Sequence, residues 1–146
     1  MDSIRIANDN SPKVFDMLFD GNFSITLTSD FILQGYDQES NAYNITNGIC
    51  AVNVANISDI GDLTIEELAA LTASQLQAEV QNKDGVSYFE YDVEIDMGDA
   101  KMNTYYVTVF LAGKNGDCYV VTIGDVGTKE TLSNGFWTYI DSIVIK

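Results

Sequence analysis

Residues 103–112, NTYYVTVFLA, narrow the possible folds more than any other stretch of the chain. Read as a strand, they put Tyr105, Val107, Val109 and Leu111 on one face and Tyr106 and Phe110 on the other, because successive side chains point to opposite sides. A strand that is apolar on both faces needs cover on both. Its neighbours in sequence also read as strands. Residues 87–97 alternate cleanly, with Phe89, Tyr91, Val93, Ile95 and Met97 as the core-facing set and Glu90, Asp92, Glu94 and Asp96 between them. Residues 117–123 form the third strand. Gly98-Asp99 joins the first pair, and KNGD joins the second, where Asn115-Gly116 suits a tight type I′ turn. The expectation is an antiparallel meander.

Before the meander the apolar period changes. Thr64-Ile65-Glu66-Glu67 is a capping box, with Thr64 placed to cap and Glu67 to bond back. Ile65, Leu68, Ala69, Thr72, Leu76 and Val80 follow at helical spacing, which predicts a helix over 64–82 stopped by Lys83-Asp84-Gly85. A second helix is expected near 129–142, with Leu132, Phe136, Tyr139, Ile140 and Ile143 near one stripe. Gly135 weakens it by roughly 1 kcal/mol relative to Ala.

Toward the N-terminus, residues 23–28 alternate, with Phe23, Ile25 and Leu27 on one side. Residues 31–36, 42–46 and 49–57 are further strand candidates, separated by polar turns. Residues 1–22 read as an N-terminal arm or a short helix, with Ser11 as its cap, Pro12 at its first position and Gly21 at its end. An extended segment fits them nearly as well. Residues 23–146 then make one domain of α+β class: an antiparallel β-sheet flanked by helices on both faces, an α/β/α sandwich.

Composition removes several function classes. The chain has 146 residues with 22 acidic against 7 basic side chains, a formal net charge of -15. Between Lys13 and Lys83 there is no Lys or Arg. Such a surface repels phosphates and anionic headgroups and favours basic partners or cations, so nucleic acid is not an expected partner. There is no His, which excludes Ser-His-Asp and Cys-His chemistry and His-rich zinc sites within this chain. No run is long and apolar enough to span a membrane. Cys50 and Cys118 read as two buried free thiols rather than a disulfide, and their spacing is not that of a metal or redox motif. No cofactor, metal ligand set or catalytic residue is expected. The start MDSIRIANDN lacks the pattern of a signal peptide. That implies a cytoplasmic protein if Met1 is the native start, and an exported or lipid-anchored one if the chain is a trimmed piece.

The candidate partner-binding residues are Glu90, Asp92, Glu94, Asp96 and Trp137. The four carboxylates alternate along one strand, where same-face residues lie roughly 6–7 Å apart. Calcium needs about six to eight oxygens, usually from a loop that wraps, so the row reads as a solvated face first and as a cation or basic-partner surface second. Trp137 falls away from the Leu132-Phe136-Ile140 stripe; it either packs under a loop or anchors an interface. The two D-x-G-D segments, Asp59–Asp62 and Asp96–Asp99, read as turns. GDVGTKE, after the last meander strand, lacks a phosphate-loop pattern, and Asp125 would oppose a phosphate. The sequons at Asn22, Asn44 and Asn56 arise readily in an Asn-rich chain.

Residues 19–145 resemble the PsbP-like superfamily, which includes PsbP, the Ran-binding nucleotide-release factor and bacterial DcrB-like domains. The stretches that carry the resemblance are FDGNFSITLTSDF, the capped LTIEELAALTASQL, the meander end CYVVTIGD and the terminal FWTYIDSIVI with Ser142 near the helix end. The chain departs from bacterial members by reading Thr28-Ser29-Asp30 where they carry Pro. ESNAYNITN does not match the partner-contact stretch of the Ran-binding members, and the cation ligands of photosystem members find no counterpart. The resemblance therefore implies a PsbP-like fold and non-enzymatic binding of a protein, and transfers no functional residue. It also implies one alternative, an effector chaperone acting as a homodimer, so the state is monomer or homodimer. A carboxylate-based cation-binding protein or enzyme is the third reading.

Overall fold

The computed structural model describes residues 12–58, 60–114 and 116–146. In chain order its elements are β1 (Lys13–Leu18), β2 (Phe23–Leu27), β3 (Ile32–Asp37), β4 (Ala42–Thr46), β5 (Ala51–Ile57), α1 (Ile65–Gln75), β6 (Gln81–Lys83), β7 (Val86–Asp96), β8 (Lys101–Ala112), β9 (Cys118–Val126), α2 (Lys129–Asp141) and β10 (Val144–Ile145). Seven strands form one sheet in the order β3-β4-β5-β9-β8-β7-β6, and β1-β2-β10 form a second of three. The pairings are antiparallel.

The expected meander is present as β7-β8-β9, and β8 is two-faced as its sequence requires. Tyr105, Val107 and Val109 join a large apolar cluster with Phe23 and Ile25 of β2, Val52 and Val54 of β5, Val121 and Ile123 of β9, and Phe136 and Ile140 of α2. Phe110 joins a smaller cluster with Phe89 of β7, Cys118 of β9, and Ala69 and Ala73 of α1. The small alanines let α1 approach the sheet closely, while the aromatic rings fill the space between.

Several expectations are corrected. Residues 13–18 are not a helix but a strand, paired as Lys13↔Leu27, Val14↔Thr26 and Phe15↔Ile25. Backbone pairing along β2 outweighs the weak helical pattern, which leaves Val14 and Met17 exposed in any case. Ser11, the expected cap, lies outside the described residues. Helix α1 starts with the expected box: Thr64 N–H donates to Glu67 Oε1 at 3.0 Å, and Glu67 N–H donates to Thr64 Oγ1 at 3.1 Å. It stops seven residues before the expected end, at Gln75 rather than residue 82. Gln77 takes a left-handed φ of 57°, and Ala78 N–H reaches back to the Ala73 carbonyl at 2.9 Å. That is a Schellman ending with Gln where Gly is usual, closed by Ala78 packing on the smaller cluster. Residues 81–83 then become β6.

A two-residue hairpin turn forms where a helix stop was expected. Lys83 pairs with Val86, and Asp84 and Gly85 between them have φ of 53° and 85°, the pair of positive angles a type I′ turn demands. The β8–β9 connection is longer. Its last strand pair is Ala112↔Cys118, with Gly113 N–H on the Asp117 carbonyl at 2.9 Å. Asn115 lies outside the described residues.

The Ser142 hydroxyl adds a polar tie between the end of α2 and the smaller sheet. Ser142 Oγ accepts from Thr26 N–H at 2.9 Å and stands 3.2 Å from the Thr26 carbonyl. It takes the place of a strand neighbour just where β10, paired to Phe23 and Ser24, runs out.

The core-facing side of β7 is the largest departure. Phe89 is 1% exposed, but Val93, Ile95 and Met97 on the same face are 39%, 41% and 61% exposed. The outer half of the strand extends past the helix that covers the inner half. Phe89→Ala should therefore cost about 3–5 kcal/mol, and Ile95→Ala less than about 1 kcal/mol, as read from urea unfolding midpoints.

Candidate functional site

Strand β7 divides its four carboxylates into two kinds. The inner one, Glu90, is built into the fold. One carboxylate oxygen accepts from Tyr105 Oη at 2.5 Å and the other from Lys129 Nζ at 2.5 Å, with the Glu90 side chain only 15% exposed. Burial alone would raise its pKa; the lysine and then the tyrosine outweigh that and hold it below its ordinary value. Tyr105 is itself buried and stacks on Phe136 at 5.6 Å between ring centroids. Burial, followed by the bond to Glu90, pushes its phenol upward. Lys129 opens α2 and is raised by the same bond. Glu90 thus ties β7 and β8 to the start of α2.

Asp92, Glu94 and Asp96 are exposed. Glu94 faces Lys101 at 3.4 Å, with both side chains more than 60% exposed, so the pair is weakly stabilising. Asp96 Oδ1 accepts from Gly98 N–H at 2.9 Å and shapes the turn into β8. β6 pairs only with Val86, Ser87 and Tyr88, so from Phe89 outward β7 is an edge strand among the described residues.

Trp137 is 8% exposed. Its ring meets Tyr88 edge-on at 4.8 Å, and Lys83 Nζ sits 4.2 Å from its centroid. The ring thus packs from α2 against the β6–β7 hairpin, with a cation–π contact to Lys83.

Other singled-out residues also have structural placements. Gly124 lies inside β9, where a Cβ would come within 2.3 Å of the Tyr106 ring, so glycine there admits a tyrosine. That tyrosine stacks on Tyr91 at 4.9 Å. Asn103 brackets Gly127, accepting its N–H at the backbone carbonyl and donating to its carbonyl from the side-chain amide, each at 2.8 Å. Gly61 and Gly98 take positive φ in turns; Asp59 lies outside the described residues. Among the described residues no group of three or more His, Cys, Asp or Glu could hold a metal ion. No described helix is long and apolar enough to cross a membrane.

Sequence reasoning missed Lys129 and Tyr105 as partners of Glu90. Lys129 is 39 positions away, and no local pattern signals a contact at that separation. The only available sign was that Lys129 is one of 7 basic residues in a chain of 22 acids, so some carboxylate had to compete for it.

No family model matches the chain, and no curated protein does. Solved structures do. The Ran-binding protein Mog1p of Saccharomyces cerevisiae matches with a TM-score of 0.63 at 9% identity, over 94% of this chain and 96% of that one. Cyanobacterial PsbP from Synechocystis matches with a TM-score of 0.55 at 12% identity, over 94% of each chain. LpqN of Mycobacterium tuberculosis, a protein involved in cell envelope biogenesis, matches with a TM-score of 0.53 at 11% identity, over 94% of this chain and 85% of that one. The fold is therefore the α+β fold of the PsbP-like and Mog1 proteins, as the resemblance implied.

Glu90 sets a pH dependence. A carboxyl held below its unfolded value stabilises the fold above about pH 4.3 and loses that contribution as pH falls through the folded value. Glu90→Gln should cost about 1–2 kcal/mol at neutral pH, and the difference from the parent protein should vanish in acid, as measured by denaturant titrations across pH. The thiols give a second test. Cys50 and Cys118 are both free and buried. Burial, then Asp125 and Asp30, pushes Cys50 up to about 12; burial foremost pushes Cys118 up to about 11, with Asp117 adding to it. Neither should react with iodoacetamide at about pH 8 until the protein is denatured, as counted by mass spectrometry.

Proposed function

We propose that the chain is a non-catalytic protein-binding domain, and that it receives a basic, extended segment of a partner along the outer half of β7. The observation that carries this is the open edge there. Among the described residues β7 has no strand on its far side from Phe89 outward, and it presents exposed Val93, Ile95 and Met97 on one face with Asp92, Glu94 and Asp96 on the other. An unpaired edge offers backbone groups for an added strand, and alternate side chains set its specificity. The acids select the occupant. A second copy docking edge to edge would set carboxylates against carboxylates in a protein of net charge -15, whereas a segment bearing Lys or Arg would neutralise them. That disfavours the homodimer on this edge.

The layering leaves the edge free. Along β8 the residues that pack with α2 alternate with Phe110, which packs with α1. This supports helices on both faces of the sheet, where they cover its centre and not the outer end of β7. Protein recognition by a fold of this kind is supported by the Ran-binding neighbour. Glu90 and Trp137 serve this surface by holding the frame beneath it.

The test is the triple change Asp92→Asn, Glu94→Gln and Asp96→Asn, which leaves Glu90 intact. Its unfolding midpoint should stay within about 0.5 kcal/mol of the parent's. On an array of Lys- and Arg-containing peptides the parent's binding should weaken with added salt, and the triple variant should lose it. Peptide binding that survives the triple change would overturn the reading.

A further inference from the structure

At the opposite end of β8 from the acidic edge, a cavity of about 410 Å³ opens between the two sheets. It falls within the size range of small-ligand sites, roughly 300–1,000 Å³. Four aromatic residues, Phe19, Tyr36, Tyr43 and Tyr119, contribute to its lining together with the carboxylates of Asp20 and Asp117 and the amides of Asn22, Asn41 and Asn56; among the described residues no Lys or Arg lines it. The rings pack on one another as a chain along one side of the space: Phe19 meets Tyr43 edge-on at 4.8 Å and Tyr119 at 5.4 Å, and Tyr36 is tilted on Tyr43 at 4.7 Å.

The wall is held in place. Tyr36 Oη donates to Asn41 Oδ1 at 2.5 Å, Asn41 Nδ2 to the Asn56 carbonyl at 3.2 Å, and Asn56 Nδ2 to Asp117 Oδ2 at 2.8 Å. Of the five non-glycine residues described with positive φ, three line this cavity: Phe19, Asp20 and Asn41. A ring as large as that of Phe19 rarely takes such a backbone angle, and strain of this kind persists where the surroundings over-determine it.

We infer that this cavity is a binding site for an organic cation, an alkylammonium or guanidinium group. Aromatic faces attract cations through their quadrupole, and surrounding tyrosines form the cages that take alkylated ammonium groups. The two carboxylates add charge of the matching sign. A neutral sugar would leave the charge of the two carboxylates unanswered, whereas a cation matches it. The site is distinct from the β7 edge, and its occupant need not belong to the protein that docks there.

The experiment is an NMR titration of the full chain with ring-labelled tyrosine, using choline, arginine amide, a capped Gly-Arg-Gly peptide and glucose as probes. Saturable shifts of the Tyr36 and Tyr43 signals with choline or arginine amide are expected, weakened about tenfold or more by Tyr36→Ala and by Asp20→Asn. Tyr36 and Asp20 are exposed, and an unfolding midpoint within about 1 kcal/mol of the parent's shows that each variant is folded. The Asp92, Glu94 and Asp96 triple variant should bind as the parent does, which separates this site from the edge. Binding of the capped peptide would make the source a protein side chain; binding of the free cations alone would make it a small molecule. Shifts with glucose and none with the cations, or cation binding unchanged by Tyr36→Ala, would overturn the inference.

Discussion

Strand β8 contributes side chains to both apolar clusters, and the rest of the architecture follows from that. Val107 and Val109 are fully buried against β2 and α2, while Phe110 between β8's other residues fills the space under α1. Without cover on both sides, several large side chains would meet water at roughly 1.5–3 kcal/mol each. The strand also sits between β7 and β9, so its backbone is bonded along both edges. A strand constrained in four directions leaves little freedom for the elements packed around it.

The two ends of β8 differ in consequence. At its start, β7 and β8 run out beyond the helices, and apolar and acidic residues of β7 are both left in water. At its end, the β8–β9 connection closes beside the β1–β2 turn, and tyrosines that belong to the edge of the core line one side of a polar hollow. Between them, Glu90 joins β7, β8 and α2 through one half-buried carboxylate. Its neighbours in sequence do nothing of the kind. The four acids look alike in the alternation of residues 87–97, but two pleats of separation decide between a structural tie and an open surface.

Much of this was legible in the chain. The capping box at Thr64 and Glu67 marked the start of α1 because its bonds span three residues. The meander was marked by alternation, and α2 by its stripe. The end of α1 was not legible, because Gln77 carries no sign that it will adopt a left-handed angle; that follows from Ala78 packing against the sheet. Nor could Asp84-Gly85 be told from a helix stop, since the same dipeptide serves both uses until a partner strand exists for residues 81–83. Residues 13–18 read as helix or extended segment with similar ease, and pairing to β2 chose the strand.

Local chemistry in the sequence determined the alternation of the central strands, the start of α1 and the absence of imidazole chemistry, because periodicity, capping and composition act over a few residues or none. The tertiary structure alone decided which alternating residues are buried, since that depends on how far a helix reaches along a sheet. It alone gave Glu90 its lysine across 39 positions. It alone assembled the tyrosine-lined cavity, drawing on β1's turn, β3, β4, β5 and the start of β9. Contacts between such distant segments exist only once the sheet has set their order.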